Sequence, residues 1–483
     1  MKAINNIFIL TGVIFLMSSC ENALNVEPKS VITAASMWQS EGDAVAALNG
    51  ALSQFRVAFA NDYIHWGEYR TGHFAEATGS GPNFQDMWTN TLDAQDAGTN
   101  WAAMYRAIND CNLILKYTPD ISFSNQKTKD FTLATAHYLR GFLYFYIARV
   151  WGDAPVLTTG FESDTQDDLY PSRAPVEEVF NQVKADFEAA IALFPDSSPG
   201  TRKSGSRAAA LMLKTDYYLW MAKVRNGGSA ALNEAKSAID QVLASTSYQL
   251  AGNFSDLFES DENNEFIFSI NFARNEFEGG FAADWLVAVQ YLNNKGLVEN
   301  PVRVGSHQQW TTISNPFEDF LFARPTDTRL ASTFQIYNEE GNQRFEWINK
   351  FPGEWVDGTR FFTSDIKVYR FAEAILFKAE IENALGNSAA AIAEVNKIAK
   401  RAYNVDNYYM VGSKEAVDAI ILDERLREFA AEGKAWWDLI RFGKVFEMVP
   451  SLAGKENKQN ILLWPVNISS INSNPAIIQT PGY

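Results

Sequence analysis

The strongest constraint on how this chain folds lies near its end, in the stretch SKEAVDAIILDERLREFAAEGKAWWDLIRFGKV, Ser413 to Val445. Val417, Ile420, Ile421, Leu426 and Phe429 recur at helical spacing and give one apolar face. Asp423 with Arg427, and Arg425 with Glu428, are three or four residues apart and can pair along the exposed side of that helix. Gly433 is placed to end it, because only glycine takes a left-handed C-terminal conformation without steric cost. A second short helix carries Trp436, Trp437, Leu439, Ile440 and Phe442 and stops at Gly443. A helical hairpin bearing two adjacent tryptophans needs a large surface to pack against.

The rest of the chain supplies that surface. At 483 residues it can bury one large core or two fused lobes. Helical periodicity runs from Met37 to Val57, from Trp101 to Tyr117 and from Phe131 to Trp151. It continues in Pro175 to Phe194, Ser206 to Arg225 and Leu232 to Leu243. Residues 58–96 and 250–365 are irregular and hold many aromatics among Gly, Asn, Asp and Gln, with Glu265 to Ile270 alternating as a short strand. Helices resume at Asp365, where Ile366, Tyr369, Ala372, Ile375, Leu376 and Ala379 form a face, and Ala389 to Tyr403 is the paired helix. Four helical pairs with short connections predict a mostly α, tetratricopeptide-like helical superstructure. Beside it stands an irregular, loop-rich lobe with a few short strands. Trp101–Tyr117 is expected to pair with Phe131–Trp151, and Pro175–Phe194 with Ser206–Arg225.

Several blocks carry a resemblance. Leu422 to Lys444, LDERLREFAAEGKAWWDLIRFGK, resembles the C-terminal signature of the SusD/RagB family, "ER..EfagEG.R..DL.RwG", with Glu424, Arg425, Glu428, Gly433, Trp437, Asp438, Leu439, Arg441 and Gly443 in order. Trp101, Tyr105, Ile108, Asn109 and Asn112 are similar to its "W..lY..I..aN" block. Leu139-Arg140-Gly141 through Trp151-Gly152-Asp153-Ala154-Pro155 is similar to "lRA.yyf.l...yGdvPl". Arg370, Ala372, Glu373, Leu376, Ala379 and Glu380 fall in register with "lRyAevlLmyAEa", Asp327 and Arg329 match a "D.R" element, and the tail from Pro465 to Tyr483 resembles "PIP..Ei..Np...QNpGY". The division that follows is a signal peptide at 1–19, a lipidated N-terminus and tether at 20–36, and one domain at 37–483. Within that domain lie an N-terminal helical part (37–245), a loop-rich lobe (246–364) and a C-terminal helical part with its tail (365–483).

The N-terminus agrees with export. Lys2 precedes the apolar run Ile7 to Met17, which is too short to span a bilayer. Leu16-Met17-Ser18-Ser19-Cys20 resembles a bacterial lipobox, which predicts acylation at Cys20. Cys111 then stands alone in a helical apolar pattern and reads as a small buried hydrophobe. A second long apolar run is lacking, so the expectation is a protein anchored to the membrane by lipid. A net charge of −17 makes nucleic acid an unsuitable partner.

Catalytic and cofactor chemistry finds no motif. The Gly-Lys pairs at 433, 443 and 454 lack the rest of a phosphate-binding loop, and neither GxSxG nor HExxH occurs. His65, His73, His137 and His307 are not spaced as metal ligands. Glu424, Glu428 and Glu432 share a helix face and read as packing and pairing groups beside Arg425 and Arg427, and the acidic run 256–265 reads as a solvated loop. No cofactor and no metal are expected.

Binding fits better. The chain holds 13 Trp and 18 Tyr, more than core filling calls for, and Trp and Tyr suit wet surfaces because one end is polar. A sugar offers flat C–H faces and many hydroxyls, so its site needs aromatic platforms flanked by Asn, Gln, Asp and Arg. Loops 66–96 and 280–355 supply that mixture. Trp88 with Asn90, Trp285, Tyr291 and Trp310 are the candidate ligand contacts, though each aromatic is as well suited to packing. By its resemblance the chain would be a surface-facing outer-membrane lipoprotein that binds oligosaccharides and delivers them to a SusC-like TonB-dependent transporter. A peptide-binding importer lid and a lipid-anchored glycoside hydrolase are the alternatives.

Overall fold

A computed structural model describes residues 37–77, 84–195, 201–287, 309–338, 344–357 and 359–483. The expected signal peptide, Cys20 and the tether lie outside the described residues, as does Tyr291. Among the described residues no helix is long and apolar enough to cross a membrane.

The helical part opens with α1 (Glu41–Phe59) and α2 (Asp62–Glu68), followed by α3 (Ala102–Tyr117) and α4 (Gln126–Val150). Then come α5 (Val176–Leu193), α6 (Arg207–Val224) and α7 (Gly228–Leu243). After the loop-rich lobe, α8 (Phe371–Ala384), α9 (Ser388–Tyr403), α10 (Lys414–Glu428) and α11 (Ala435–Arg441) complete it. The boundaries follow local chemistry. Ser40 and Asp43 form a reciprocal capping box, which starts α1 at Glu41 rather than at Met37. Ser206 and Ser413 cap α6 and α10 by accepting from Ala209 N and Ala416 N.

Four pairs form, the last of them, α8 with α9, as expected and the other three in a different register. α1 packs on α3, α4 on α5, α6 on α7 and α8 on α9, and α7 lies against α8 to carry the superstructure across the intervening lobe. Sequential periodicity cannot set this pairing. α4 is apolar nearly all round its C-terminal half, so it offers a face to both neighbours, and the better-fitting surface is that of α5. Gly141 is part of the fit: a Cβ there would lie 3.0 Å from Asp186 Cβ.

Eight short strands make four antiparallel two-stranded ladders among the described residues. They are β1 (Phe74–Glu76) with β3 (Thr311–Ile313), β2 (Phe266–Ile270) with β8 (Ile366–Arg370), β4 (Phe334–Asn338) with β5 (Arg344–Ile348), and β6 (Glu354–Val356) with β7 (Thr359–Phe361). The expected helix start at Asp365 is thus corrected, since Ile366–Arg370 is a strand buried along its whole length. Its Ile, Val and Tyr suit a pleated surface, and helical geometry begins only after Arg370, whose backbone is still extended.

One apolar core runs from α1 through the α4–α7 layer to α11 and the C-terminal tail. Cys111 is buried within it as expected. The turn after α10 departs from expectation. The helix ends at Glu428, and the left-handed Gly433 (φ +76°) serves a close approach instead, because a Cβ on it would meet Tyr63 Cε1 at 2.4 Å. Across the same contact, a Cβ on Gly67 of α2 would lie 2.0 Å from Gly433 O. Two glycines let α2 and the α10–α11 turn touch backbone to backbone.

Candidate functional site

The α10 signature proves to be a buried charge lattice rather than an exposed paired face. Glu424 accepts from Arg329 Nη1 (3.0 Å) and Arg324 Nη1 (2.9 Å). Glu428 pairs with Arg329 (3.2 Å), Arg370 (3.0 Å) and Arg401. Glu432 holds Arg370 (2.9 Å) and Lys350 (2.7 Å). Arg425 does not meet Glu428. It binds Asp438 (2.9 Å) and Glu373 (3.0 Å), and Arg441 then joins Asp438 (2.8 Å) to Glu380 (2.7 Å). Of the two pairs expected on an exposed side, only Asp423–Arg427 forms (3.1 Å), and Arg427 is itself buried.

These partners come from β8, α8, α9 and loops 324–350, so the lattice welds the loop-rich lobe to the C-terminal helices. Burial alone would push the carboxyls up. The guanidiniums of Arg401, Arg370 and Arg329 instead hold Glu428 well below the usual carboxylate range. Glu380, beside Arg441 and Lys223, is likewise held at about 2. Carboxylates this strongly paired are fixed anions with no proton to exchange near neutral pH.

The sequence-predicted binding residues separate into two groups. Asn90 is structural. It takes a left-handed conformation (φ 55°) at the end of the short helix Gln85–Thr89, accepts from Arg70 Nε (2.7 Å), and donates to Arg70 O (3.1 Å) and Ser451 Oγ (2.8 Å). Arg70 in turn donates to the carbonyls of Ile461, Leu462 and Leu463 and lies 4.5 Å over the Trp436 ring. That pair ties the tail to the core, and it commits both amide hydrogens of Asn90 within the protein.

The aromatics do converge. Trp285 donates from Nε1 to Tyr69 Oη (3.1 Å) and stacks near Phe74 at 6.0 Å. Tyr69 and Phe84 lie 6.4 and 6.1 Å from Trp88, and Phe84 lies 6.4 Å from Trp310. Tyr69, Phe74, Phe84 and Trp88 from the first loop region and Phe281, Trp285 and Trp310 from the second therefore build one cluster. Within it Trp285 (1% exposed) and Trp88 (9%) are core, which corrects them as direct platforms. Trp310 is only partly buried and forms the outer edge. It is held by backbone bonds, its N–H to Asp284 O (3.0 Å) and its carbonyl from Ala77 N (3.1 Å). His73 closes the cluster's far side by stacking on Phe317 at 3.8 Å, where burial drives its imidazole down to about 3, so it stays neutral.

Sequence reading missed the clefts, which are made by segments far apart in the chain. One, of about 870 Å3, lies between α1, the start of α4 and the end of β2. Another, of about 540 Å3, opens to the surface between α3, loop 155–171 and the tail. Among the described residues no group of His, Cys, Asp and Glu is arranged to hold a metal ion.

Comparison with known proteins agrees with this architecture. Residues 25–219 match the family described as starch-binding and associating with the outer membrane, and residues 327–462 match the SusD family. The chain is 27% identical to "SusD-like protein P38" of Formosa agariphila over the full length of both chains. It is 30% identical to the "Starch-binding protein SusD" of Bacteroides thetaiotaomicron over 30% of this chain and 26% of that one. Among solved structures it resembles NanU of B. fragilis, with TM-score 0.80, 26% identity and coverage of 95% and 100% of the two chains. A SusD-superfamily protein of Bacteroides vulgatus gives TM-score 0.79 at 25% identity, covering 92% and 100%. A shared helical superstructure, matches to SusD models in both halves and a similar relative spanning the whole length lead to one conclusion: this chain belongs to the SusD/RagB family of outer-membrane glycan-binding proteins.

Proposed function

We propose that the protein is a cell-surface lipoprotein, acylated at Cys20, that captures a polysaccharide or oligosaccharide and hands it to a TonB-dependent outer-membrane transporter. The observation that carries the reading is the match of residues 25–219 to a family described as starch-binding and associating with the outer membrane. Capture without cleavage fits Glu424, Glu428 and Glu432, each of which is paired with arginine or lysine. Trp310 is the proposed platform. Phe84, itself packed by Tyr69 and Trp88, backs its ring, and a ring held by packed rings presents a flat face with little freedom to lose.

Affinity electrophoresis of the purified protein through gels containing one polysaccharide each tests this. Selective retardation by a glycan that stays intact, weakened in Trp310→Ala with the unfolding midpoint unchanged, is the expected result. Retardation by no glycan, together with binding of peptides, would move the protein to the peptide-importer class. Release of reducing ends on long incubation would make it an enzyme.

A further inference from the structure

α3 forms one wall of the cavity of about 540 Å3, a size within the range of small-molecule sites. Its polar side chains divide sharply. Tyr105 Oη donates to Pro155 O (2.8 Å), Asn109 Nδ2 to Phe161 O (3.1 Å), and Asn112 Nδ2 to Leu157 O (3.1 Å). Asn109 Oδ1 also accepts from Phe161 N (2.6 Å). These bonds fix loop 155–161 and with it the apolar wall of Leu157 and Phe161, while Ile477 of the tail closes the opposite side. Arg106 and Asp110 line the same cavity one turn apart, yet neither is bonded to any described residue, nor to the other. Asp110 is only partly exposed, and burial raises its carboxyl above the ordinary value, as for an acceptor without donors.

We infer that this cavity is a second saccharide site, taking one or two sugar rings at a place distinct from the Trp310 cluster. Asp110 accepts from two neighbouring hydroxyls, Arg106 donates to a ring or glycosidic oxygen, and the apolar walls cover the C–H face. The walls are already held by Tyr105, Asn109 and Asn112, so a sugar entering pays little to order them. The inference rests on the glycan-binding reading. What it adds is a second point of attachment, through which a long glycan held at both places gains avidity without any new contact.

Saturation-transfer NMR on the purified protein tests it, with the methyl glycosides of glucose, galactose and mannose, free glucuronic acid, and L-leucine as probes. At least one sugar is expected to give a signal that survives Trp310→Ala. In Asp110→Asn and in Arg106→Gln its affinity should fall at least about tenfold, the loss of one charge-assisted hydrogen bond, with unfolding midpoints unchanged. A sugar signal that vanishes in Trp310→Ala but persists in both α3 variants overturns the second site. So does the absence of any sugar signal, or a signal from leucine that alone depends on Asp110. Polysaccharide retardation in gels separates the two failures. If it persists while the α3 variants change nothing, the second site is wrong and the glycan reading stands; if no glycan retards the protein, the glycan reading itself fails.

Discussion

Glu68 supplies the most quantitative test of how this fold is held. It ends α2 fully buried, and its Oε1 accepts from Gly433 N (2.9 Å) and Lys434 N (3.2 Å) at the turn into α11. Its Oε2 has no hydrogen-bond partner. Burial pushes the carboxyl up to about 8, against the two backbone donors and the more distant Lys350, which favour the anion. A protonated acid is therefore the resident form at neutral pH. The sign follows from linkage: between pH 4.5 and 8 the unfolded chain has released this proton and the folded chain has kept it, so stability falls as pH rises. At ~1.4 kcal/mol per unit the loss at pH 7 is on the order of 3 kcal/mol, and it levels off above pH 8. Glu68→Gln keeps the acceptor oxygen and removes the titration. Its stability relative to the parent should rise steadily with pH, by a few kcal/mol between pH 5 and pH 8. For a domain of this size that is on the order of 3–4 °C in the unfolding midpoint. The assay is the midpoint of both proteins by calorimetry at pH 5, 6, 7 and 8. Taking the difference cancels the groups common to both, including neutral His73 and Asp365, whose carboxyl burial raises to about 6. A difference that stays constant across this range would refute the buried neutral acid.

Other perturbations separate packing, lattice and binding. Gly67→Ala places a methyl 2.0 Å from Gly433 O, so the α2 contact must open; expression or stability should drop severely, by roughly 3 kcal/mol or more in urea unfolding. Glu428→Gln leaves Arg329, Arg370 and Arg401 short of an anion and should cost on the order of 3–5 kcal/mol in the same assay. Trp285→Ala should cost roughly 3–5 kcal/mol through the cavity it leaves, whereas Trp310→Ala should lower glycan retardation while the midpoint moves by about a degree or less. On acidification below pH 4.5 the protein should lose stability as Glu380, held at about 2, is forced to protonate; the acid midpoint read by tryptophan fluorescence checks this.

Local pattern carries local information, and here it was enough for the helices, the strand at 266–270, the burial of Cys111 and the family signature itself. Each of these depends on residues within a few turns of one another, where periodicity and capping act directly. Composition also marked regions 66–96 and 280–355 as rich in aromatics among polar residues, but that the two meet was left to the fold. What composition could not decide was which ring faces solvent. Trp88, Trp285 and Trp310 have the same chemistry and similar neighbours in the chain, and only the packing of Tyr69, Phe74 and Phe84 buries two and leaves the third at the edge. The charges of α10 make the same point more strongly. Spacing along one helix paired Arg425 with Glu428, because sequence offers only partners on the same helix. The fold brings arginines from 324, 329, 370 and 401, and in a buried setting a carboxylate takes whichever cations best offset its desolvation. Helix partners, clefts and ion-pair partners are all contacts between distant segments, so they were decided by the tertiary structure.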